Sequence, residues 1–320
     1  MKIAMLQVLT PELDERVRAL VPSGFTLEIT KSVETADLLR VIADADYAVA
    51  FGMTVPDEVL RAAPRLRLLH RWGVGVDGVS LGLCRELDVV VAKTTGCNAR
   101  PVAEFTIGLM LASSRLLNIA HNSMQQGEWR KKELWLRNQM LFGRRIGLVG
   151  LGAIGKEVAR RLRGFDCDVL YAKRTPLDAQ TERDLGIRYA PFDEILEADI
   201  VSLHCPLNAE TRNMISWAEL NRMQRHAILI NTARGGLVNE QDLAAALKQG
   251  IIRSAAIDVF QQEPVSPDNP LIGLDNALLS PHIAANAFDN IDNEIAHWMG
   301  NIQRHSEGRP LSPDDIVTAS

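Results

Sequence analysis

The sequence predicts an α/β protein built on parallel, doubly wound sheets, and three observations carry that prediction. Short apolar runs alternate with helical patterns along nearly all of the 320 residues. A glycine-rich turn, Gly150-Leu151-Gly152-Ala153-Ile154-Gly155, joins an apolar run to a helical one. Three later segments each end a strand-like run with a reactive side chain, at Arg234, Glu263 and His282.

Strands are expected at residues 3–8, 25–29, 47–51, 66–70 and 89–92, with helices between them at 12–20, 35–42 and 57–62. One long apolar helix is expected over 102–119, with Pro101 near its first turn, where a missing N–H costs nothing. A polar, Trp-containing stretch follows over 122–138. A second βα series then begins, with strands at 145–149, 168–171, 200–204, 227–231 and 255–259 and a short last one at 278–279. The series closes with a helix over 284–304. The breaker-rich segment 263–273, with Pro264, Pro267 and Pro270, reads as an ordered loop.

Composition narrows the function classes without naming one. Hydrophobic residues make up 47% and charged residues 23%, with a formal charge of −5, so nothing suggests a basic footprint for nucleic acid or an anionic membrane. Met1 leads straight into an apolar strand with no targeting pattern, and no apolar stretch is long enough to span a bilayer. Cys84, Cys97, Cys167 and Cys205 form no CxxC pair, and no His cluster has metal-ligand spacing, so no metal is expected. These features imply a cytoplasmic protein with reduced thiols.

The turn at 150–155 has the context that a dinucleotide needs: a strand before it and a helix after it. Gly150 permits the tight turn, Gly152 lets backbone approach a pyrophosphate, and Gly155 lets helix and strand pack closely. Free N–H groups at the helix start then face the anion. The second strand runs into Lys173, Arg174 and Thr175. A site for NAD(H) would carry a carboxylate here for the ribose 2′-hydroxyl. Two cations and a hydroxyl suit a 2′-phosphate instead, which points to NADP(H); if the turn is only a solvated basic loop, NAD(H) is used as well.

Arg234, Glu263 and His282 stand just past the carboxyl ends of strands, where ligands bind in doubly wound sheets. A guanidinium can hold a carboxylate bidentately and polarise an adjacent carbonyl. An imidazole can give a proton to a developing alkoxide and take it back, and a neighbouring carboxylate orients it. Taken singly, each residue has a bland alternative: a surface Arg, a loop carboxylate, a structural His. Their order behind a dinucleotide turn favours hydride transfer to a 2-keto acid.

With these motifs in hand, the chain resembles the D-isomer-specific 2-hydroxyacid dehydrogenases, a family that includes phosphoglycerate dehydrogenases and glyoxylate/hydroxypyruvate reductases. Further matching stretches are Arg71-Trp72-Gly73-Val74-Gly75-Val76-Asp77, Asn98-Ala99-Arg100-Pro101-Val102-Ala103-Glu104 and His204-Cys205-Pro206-Leu207. The resemblance implies a Rossmann-type cofactor domain over 99–284, inserted in a flavodoxin-like substrate domain formed by 1–98 and 285–320. Segments near Arg100 and Ala284 would act as the hinge. It also implies a homodimer, formed through the cofactor domain and the helix from Val102. Arg234 would bind the substrate carboxylate and carbonyl, His282 would donate the proton with help from Glu263, and the Val74–Gly75 backbone would help hold the carboxylate. Ala153 and Ile154 would touch the pyrophosphate, Thr232 and Asp258 the nicotinamide half, and Cys205 and Pro206 the adenine side. The sequence stops soon after the last helix, which leads to the expectation that the C-terminal regulatory domain of some phosphoglycerate dehydrogenases is missing. Arg71 is open between favouring an acidic or phosphorylated substrate and being a strand-end surface cation. The rival expectations are a phosphite- or formate-type dehydrogenase on the same scaffold, and a nucleotide-sensing, corepressor-type binding protein.

Overall fold

The structure is a computed structural model that describes residues 1–317. Its first elements are β1 (Lys2–Met5), α1 (Pro11–Ala19), β2 (Thr26–Ile29), α2 (Thr35–Ile42), β3 (Tyr47–Ala50), α3 (Asp57–Arg61), β4 (Leu68–Arg71), α4 (Leu81–Glu86) and β5 (Val90–Lys93). Then come α5 (Ala99–Ser114), α6 (Leu117–Gln125), α7 (Lys131–Arg137), β6 (Arg145–Val149), α8 (Ala153–Leu162), β7 (Asp168–Ala172), α9 (Ala179–Leu185) and β8 (Ile187–Tyr189). The remainder is α10 (Phe192–Ile195), β9 (Ile200–Leu203), α11 (Trp217–Arg222), β10 (Ile228–Asn231), α12 (Glu240–Gln249), β11 (Ser254–Ile257), β12 (Ala277–Leu279) and α13 (Ile291–Ser306). The chain divides into two compact units: residues 1–98 together with the chain from Asn286, and Ala99–Ala285.

The first unit holds a five-stranded parallel sheet of order β2-β1-β3-β4-β5, the flavodoxin-like order. Alternate residues of each strand point to opposite faces, and both faces are covered. Ala4 and Leu6 join Leu38, Val41 and Ile42 of α2, whose i, i+3, i+4 spacing makes one apolar stripe. Ile3 and Met5 join Val17 of α1 and Ile295, Trp298 and Ile302 of α13. Helix α13 therefore belongs to the core of the N-terminal sheet, although nearly two hundred residues separate it from β5.

The second unit holds a seven-stranded parallel sheet of order β12-β11-β10-β9-β6-β7-β8. Counted from β6, the strand order is that of a Rossmann sheet with one strand added. The order reverses between β6 and β9, which pair directly, and a crevice opens beyond their carboxyl ends. No single helix among the described residues is long and apolar enough to cross a membrane.

Two local expectations are corrected, at 102–119 and at the last helix, and the stretch 122–138 gains its elements. The helix expected over 102–119 is two helices, α5 and α6, bent by 66°. Leu116 takes φ 52°, and the Ser114 carbonyl accepts from Gln139 N–H and the Arg253 guanidinium, so the last turn of α5 is satisfied from outside the helix. The stretch 122–138 contains the end of α6 and all of α7. The last helix begins at Ile291, after a short 3-10 turn at Phe288–Asn290.

Candidate active site

Strand β6 delivers the chain into the glycine turn. Gly150 has φ 92°, and a side chain there would lie 2.7 Å from the His204 and Cys205 backbone beyond β9. Gly155 sits on α8 where a Cβ would meet the Gly150 carbonyl at 2.8 Å. Both positions are closed to any other residue. Gly152 is different: it is the N-cap of α8 and a Cβ there would meet nothing within 4 Å. No side chain caps this helix, so its first N–H groups face open space.

That space is part of a cavity of about 620 Å³. Gly150, Gly152, Lys173, Arg174, Thr175, Cys205 and Pro206 all line it, as do His204, Tyr189 and Met214. It thus runs from an anion-receiving helix start to a basic turn, past an apolar wall at Cys205, Pro206 and Met214. The donors, open Gly152 and cations fit a dinucleotide. Ala153 and Ile154 form the first turn of α8; Ala153 is exposed, whereas Ile154 packs against the sheet core. Burial pushes the His204 imidazole down to about 4 and the Cys205 thiol up to about 11, so neither is a charged reactive group at neutral pH.

The second cluster lies beyond β10, β11 and β12. His282 Nδ1 is 2.6 Å from Glu263 Oε2, and Glu263 Oε1 accepts from the Phe260 N–H at 2.9 Å. A carboxylate beside it makes Nδ1 the proton-bearing nitrogen, which leaves Nε2 turned away from the pair. Partial burial opposes the charge of Glu263. The hydrogen bonds from His282 and Phe260 and the charges of His282 and Arg234 outweigh it, holding the carboxyl below the usual carboxylate range. Arg234 is thus electrostatically joined to the pair, and its Nη1 donates to the Ala233 carbonyl at 2.7 Å.

The loops that carry these three residues are tied to each other. A Cβ on Gly235 would fall 1.9 Å from the Phe260 carbonyl carbon, so the turn after Arg234 rests directly on the backbone leading to Glu263. Asn231 bridges its own loop, donating to the Arg234 carbonyl and accepting from the Ala233 N–H. Buried Glu240 accepts from the Gln261 N–H at 2.6 Å. Asp258, fully buried, accepts from Ser280 Oγ and the Ile283 and Ala284 N–H groups, while its carbonyl accepts from the His282 N–H at 2.7 Å. It clamps the turn that presents His282, which has φ 53°. Thr232 is buried, with its hydroxyl 3.0 Å from Thr106 of α5.

Sequence reasoning missed the clamping by Asp258 and the bracing by Asn231 and Glu240. An Asn and an Asp at strand ends signal turn chemistry, but nothing in one sequence names their partners.

Val74 and Gly75 belong to the first unit, on the loop after β4, and both are partly buried. Arg71, at the end of β4, is buried and donates to the Gly75 carbonyl at 3.1 Å and the Met53 carbonyl at 2.7 Å. It is a buried cation rather than a surface one, and it donates to backbone carbonyls of its own unit.

The family model of the D-isomer specific 2-hydroxyacid dehydrogenase NAD binding domain matches residues 107–284. A glyoxylate reductase of Korarchaeum cryptofilum is 37% identical over 285 residues, covering 86% of this chain and 85% of the relative. The chain spans about half the length of the D-3-phosphoglycerate dehydrogenases it also matches. Among solved structures, the NADPH-dependent glyoxylate/hydroxypyruvate reductase of Sinorhizobium meliloti superposes with a TM-score of 0.85 at 29% identity, over 99% of this chain and 97% of that one. The NAD-dependent formate dehydrogenase of Staphylococcus aureus superposes with a TM-score of 0.87 at 26% identity, over the whole of both chains. Two parallel-sheet units, a Rossmann glycine turn and these likenesses define an oxidoreductase that uses a nicotinamide dinucleotide. The chain belongs to the D-isomer-specific 2-hydroxyacid dehydrogenase family.

Proposed function

We propose that this protein reduces a small 2-keto acid to the D-2-hydroxy acid, reversibly, and prefers NADP(H) over NAD(H). The observation that carries the reaction is the His282 Nδ1–Glu263 Oε2 contact at 2.6 Å, with Arg234 close enough to bias the same carboxylate. When bound, the nicotinamide supplies the hydride. Arg234 binds the substrate carboxylate and draws electron density from the adjacent carbonyl. Protonated His282 gives the Nε2 proton to the carbonyl oxygen as it becomes an alkoxide. Glu263 stabilises the charged ring before transfer and keeps Nε2 aimed at the substrate. The N–H groups at Ala153 and Ile154 hold the pyrophosphate, Cys205 and Pro206 flank the adenine, and Thr232 and Asp258 border the nicotinamide.

The NADP(H) preference rests on Lys173, Arg174 and Thr175, which line the cavity at the place where an acidic residue would select NAD(H). We further propose a homodimer, supported by exposed apolar side chains along residues 117–142, and a cytoplasmic protein, since its four free cysteines suit a reducing compartment.

A panel of glyoxylate, hydroxypyruvate, pyruvate, formate and phosphite, each assayed with both cofactors by nicotinamide absorbance, tests the reading. Turnover of a 2-keto acid with a lower KM for NADPH than for NADH is expected. Turnover of formate or phosphite alone would transfer the assignment to a different dehydrogenase on the same scaffold. Binding of nucleotide with no turnover of any of the five would favour the sensing role.

A further inference from the structure

The turn that carries Lys173, Arg174 and Thr175 has its own anchor, and it is not part of the dinucleotide contacts. Tyr171, near the end of β7, is fully buried. Its hydroxyl accepts from the Leu177 N–H at 2.7 Å, two residues beyond Thr175, and donates to Glu182 Oε1 on α9 at 2.6 Å. The ring packs edge-on against Tyr189, its register partner on β8, at 5.7 Å between centroids. Tyr189 in turn lines the cofactor cavity. The far end of the turn is fixed by Asp178, which caps α9 by accepting from the Thr181 N–H and hydroxyl. Six residues thus leave the sheet and return to a helix across a phenol that bonds both to the returning backbone and to the helix.

Lys173 and Arg174 are long and rotatable, so their charge alone does not fix where a phosphate would be held. A backbone tether two residues away does. We propose that Tyr171, together with Glu182, is a positioning residue for cofactor selection: it holds the basic turn in the shape that distinguishes a ribose 2′-phosphate from a 2′-hydroxyl. The proposal rests on the reading of that turn as a 2′-phosphate site. It assigns Tyr171 no contact with the reacting atoms, so hydride transfer itself should not depend on it.

Tyr171→Phe removes the hydroxyl and leaves the ring against Tyr189. One backbone N–H then loses its acceptor, a loss that corresponds to a rise in KM for NADPH of roughly three- to ten-fold. The KM for NADH and the kcat with either cofactor are expected to stay near wild type. Glu182→Ala is expected to move the NADPH constant the same way. Glu182→Gln, which keeps an acceptor oxygen for the phenol, is expected to restore it. A merely structural role would raise both KM values together or lower kcat, and that result overturns the proposal, as does Tyr171→Phe behaving like wild type. Thermal melts of each variant separate misfolding from altered selection. The Lys173→Ala/Arg174→Ala double variant, assayed alongside, isolates the underlying reading. If it changes the NADPH/NADH ratio while Tyr171→Phe does not, only the tether fails. If it leaves the ratio unchanged, the 2′-phosphate site and the tether fail together.

Discussion

His282 illustrates how much one hydrogen bond decides. A neutral imidazole has one N–H, and the Glu263 carboxylate claims it at Nδ1. Nε2 is therefore the atom that exchanges a proton with substrate. His282→Ala removes that atom, and kcat is expected to fall by about 10²- to 10⁴-fold, with little change in cofactor binding measured by fluorescence. Glu263→Gln is the finer test. The amide oxygen still accepts from Nδ1–H, but the charge beside the ring is gone, so kcat is expected to fall while the KM for cofactor stays near wild type. An unchanged kcat would show that Glu263 only orients the ring. The acid side follows from the direction of the Glu263 shift. Its pKa is lowered on folding, so the pair it makes is intact above the ordinary carboxylate value and is lost as pH falls through the depressed one. Activity and the contribution of this pair to stability are both expected to fail there, on the acid side and not near neutrality. These residues were visible in the sequence because each follows a strand-like run and each has a chemistry that a keto acid needs. Asp258 was visible only as a possible neighbour of the nicotinamide. Its hydrogen bonds to Ser280, Ile283 and Ala284 join positions more than twenty residues apart, and no local pattern encodes such a pairing.

At the level of elements, the strands were legible because parallel strands buried on both faces read as continuous apolar runs. Tyr47–Ala50, Leu68–Arg71 and Ile228–Asn231 are buried at every position. The edge strand Ile187–Tyr189 was missed: it is three residues long and mostly exposed, so burial wrote no pattern into it. The break between α5 and α6 was missed because Leu109, Ala112, Leu116 and Ile119 continue the apolar i, i+3, i+7 spacing across it. What stops the helix is tertiary, the capture of the Ser114 carbonyl by Gln139 and Arg253. The joint between the Arg234 and Glu263 loops is tertiary too. Gly235→Ala would drive a methyl into the Phe260 backbone, where nothing flexible can yield. A loss of about 1–3 kcal/mol is expected, together with a drop in kcat/KM as Arg234 and Glu263 are pushed apart. Gly300→Ala in α13 is the control, since a Cβ there meets nothing within 4 Å. It should raise stability by up to about 1 kcal/mol through helix propensity. Denaturant melts that fail to give opposite signs for the two variants would refute the close-approach argument.

For the whole molecule, the question is what covers the segment from α6 to the start of β6. Trp129, Trp135, Leu136, Met140 and Phe142 are all exposed, Leu136 at 85%. A single exposed Leu is ordinary, but this density of large apolar side chains on 117–142 is not what water favours. Helix α6 packs on α5 of the same unit, and Leu134 of α7 packs against Leu116 and Ile119. A second copy of the chain is the simplest cover, because a closed twofold pairing buries the same residues on both partners. Replacing Trp135 and Leu136 by Asp places two charges where the proposed interface would be dry. In sedimentation equilibrium at micromolar concentration, the wild-type chain is then expected as a dimer and the Trp135→Asp/Leu136→Asp variant as a folded monomer with an unchanged far-ultraviolet circular dichroism spectrum. A wild-type monomer under those conditions would remove the dimer outright. A variant that stays dimeric would locate the interface elsewhere and leave this apolar segment to some other partner. Because Arg234, Glu263 and His282 sit on loops of the sheet itself, a folded monomeric variant should still reduce substrate if each chain carries a complete set of reacting groups.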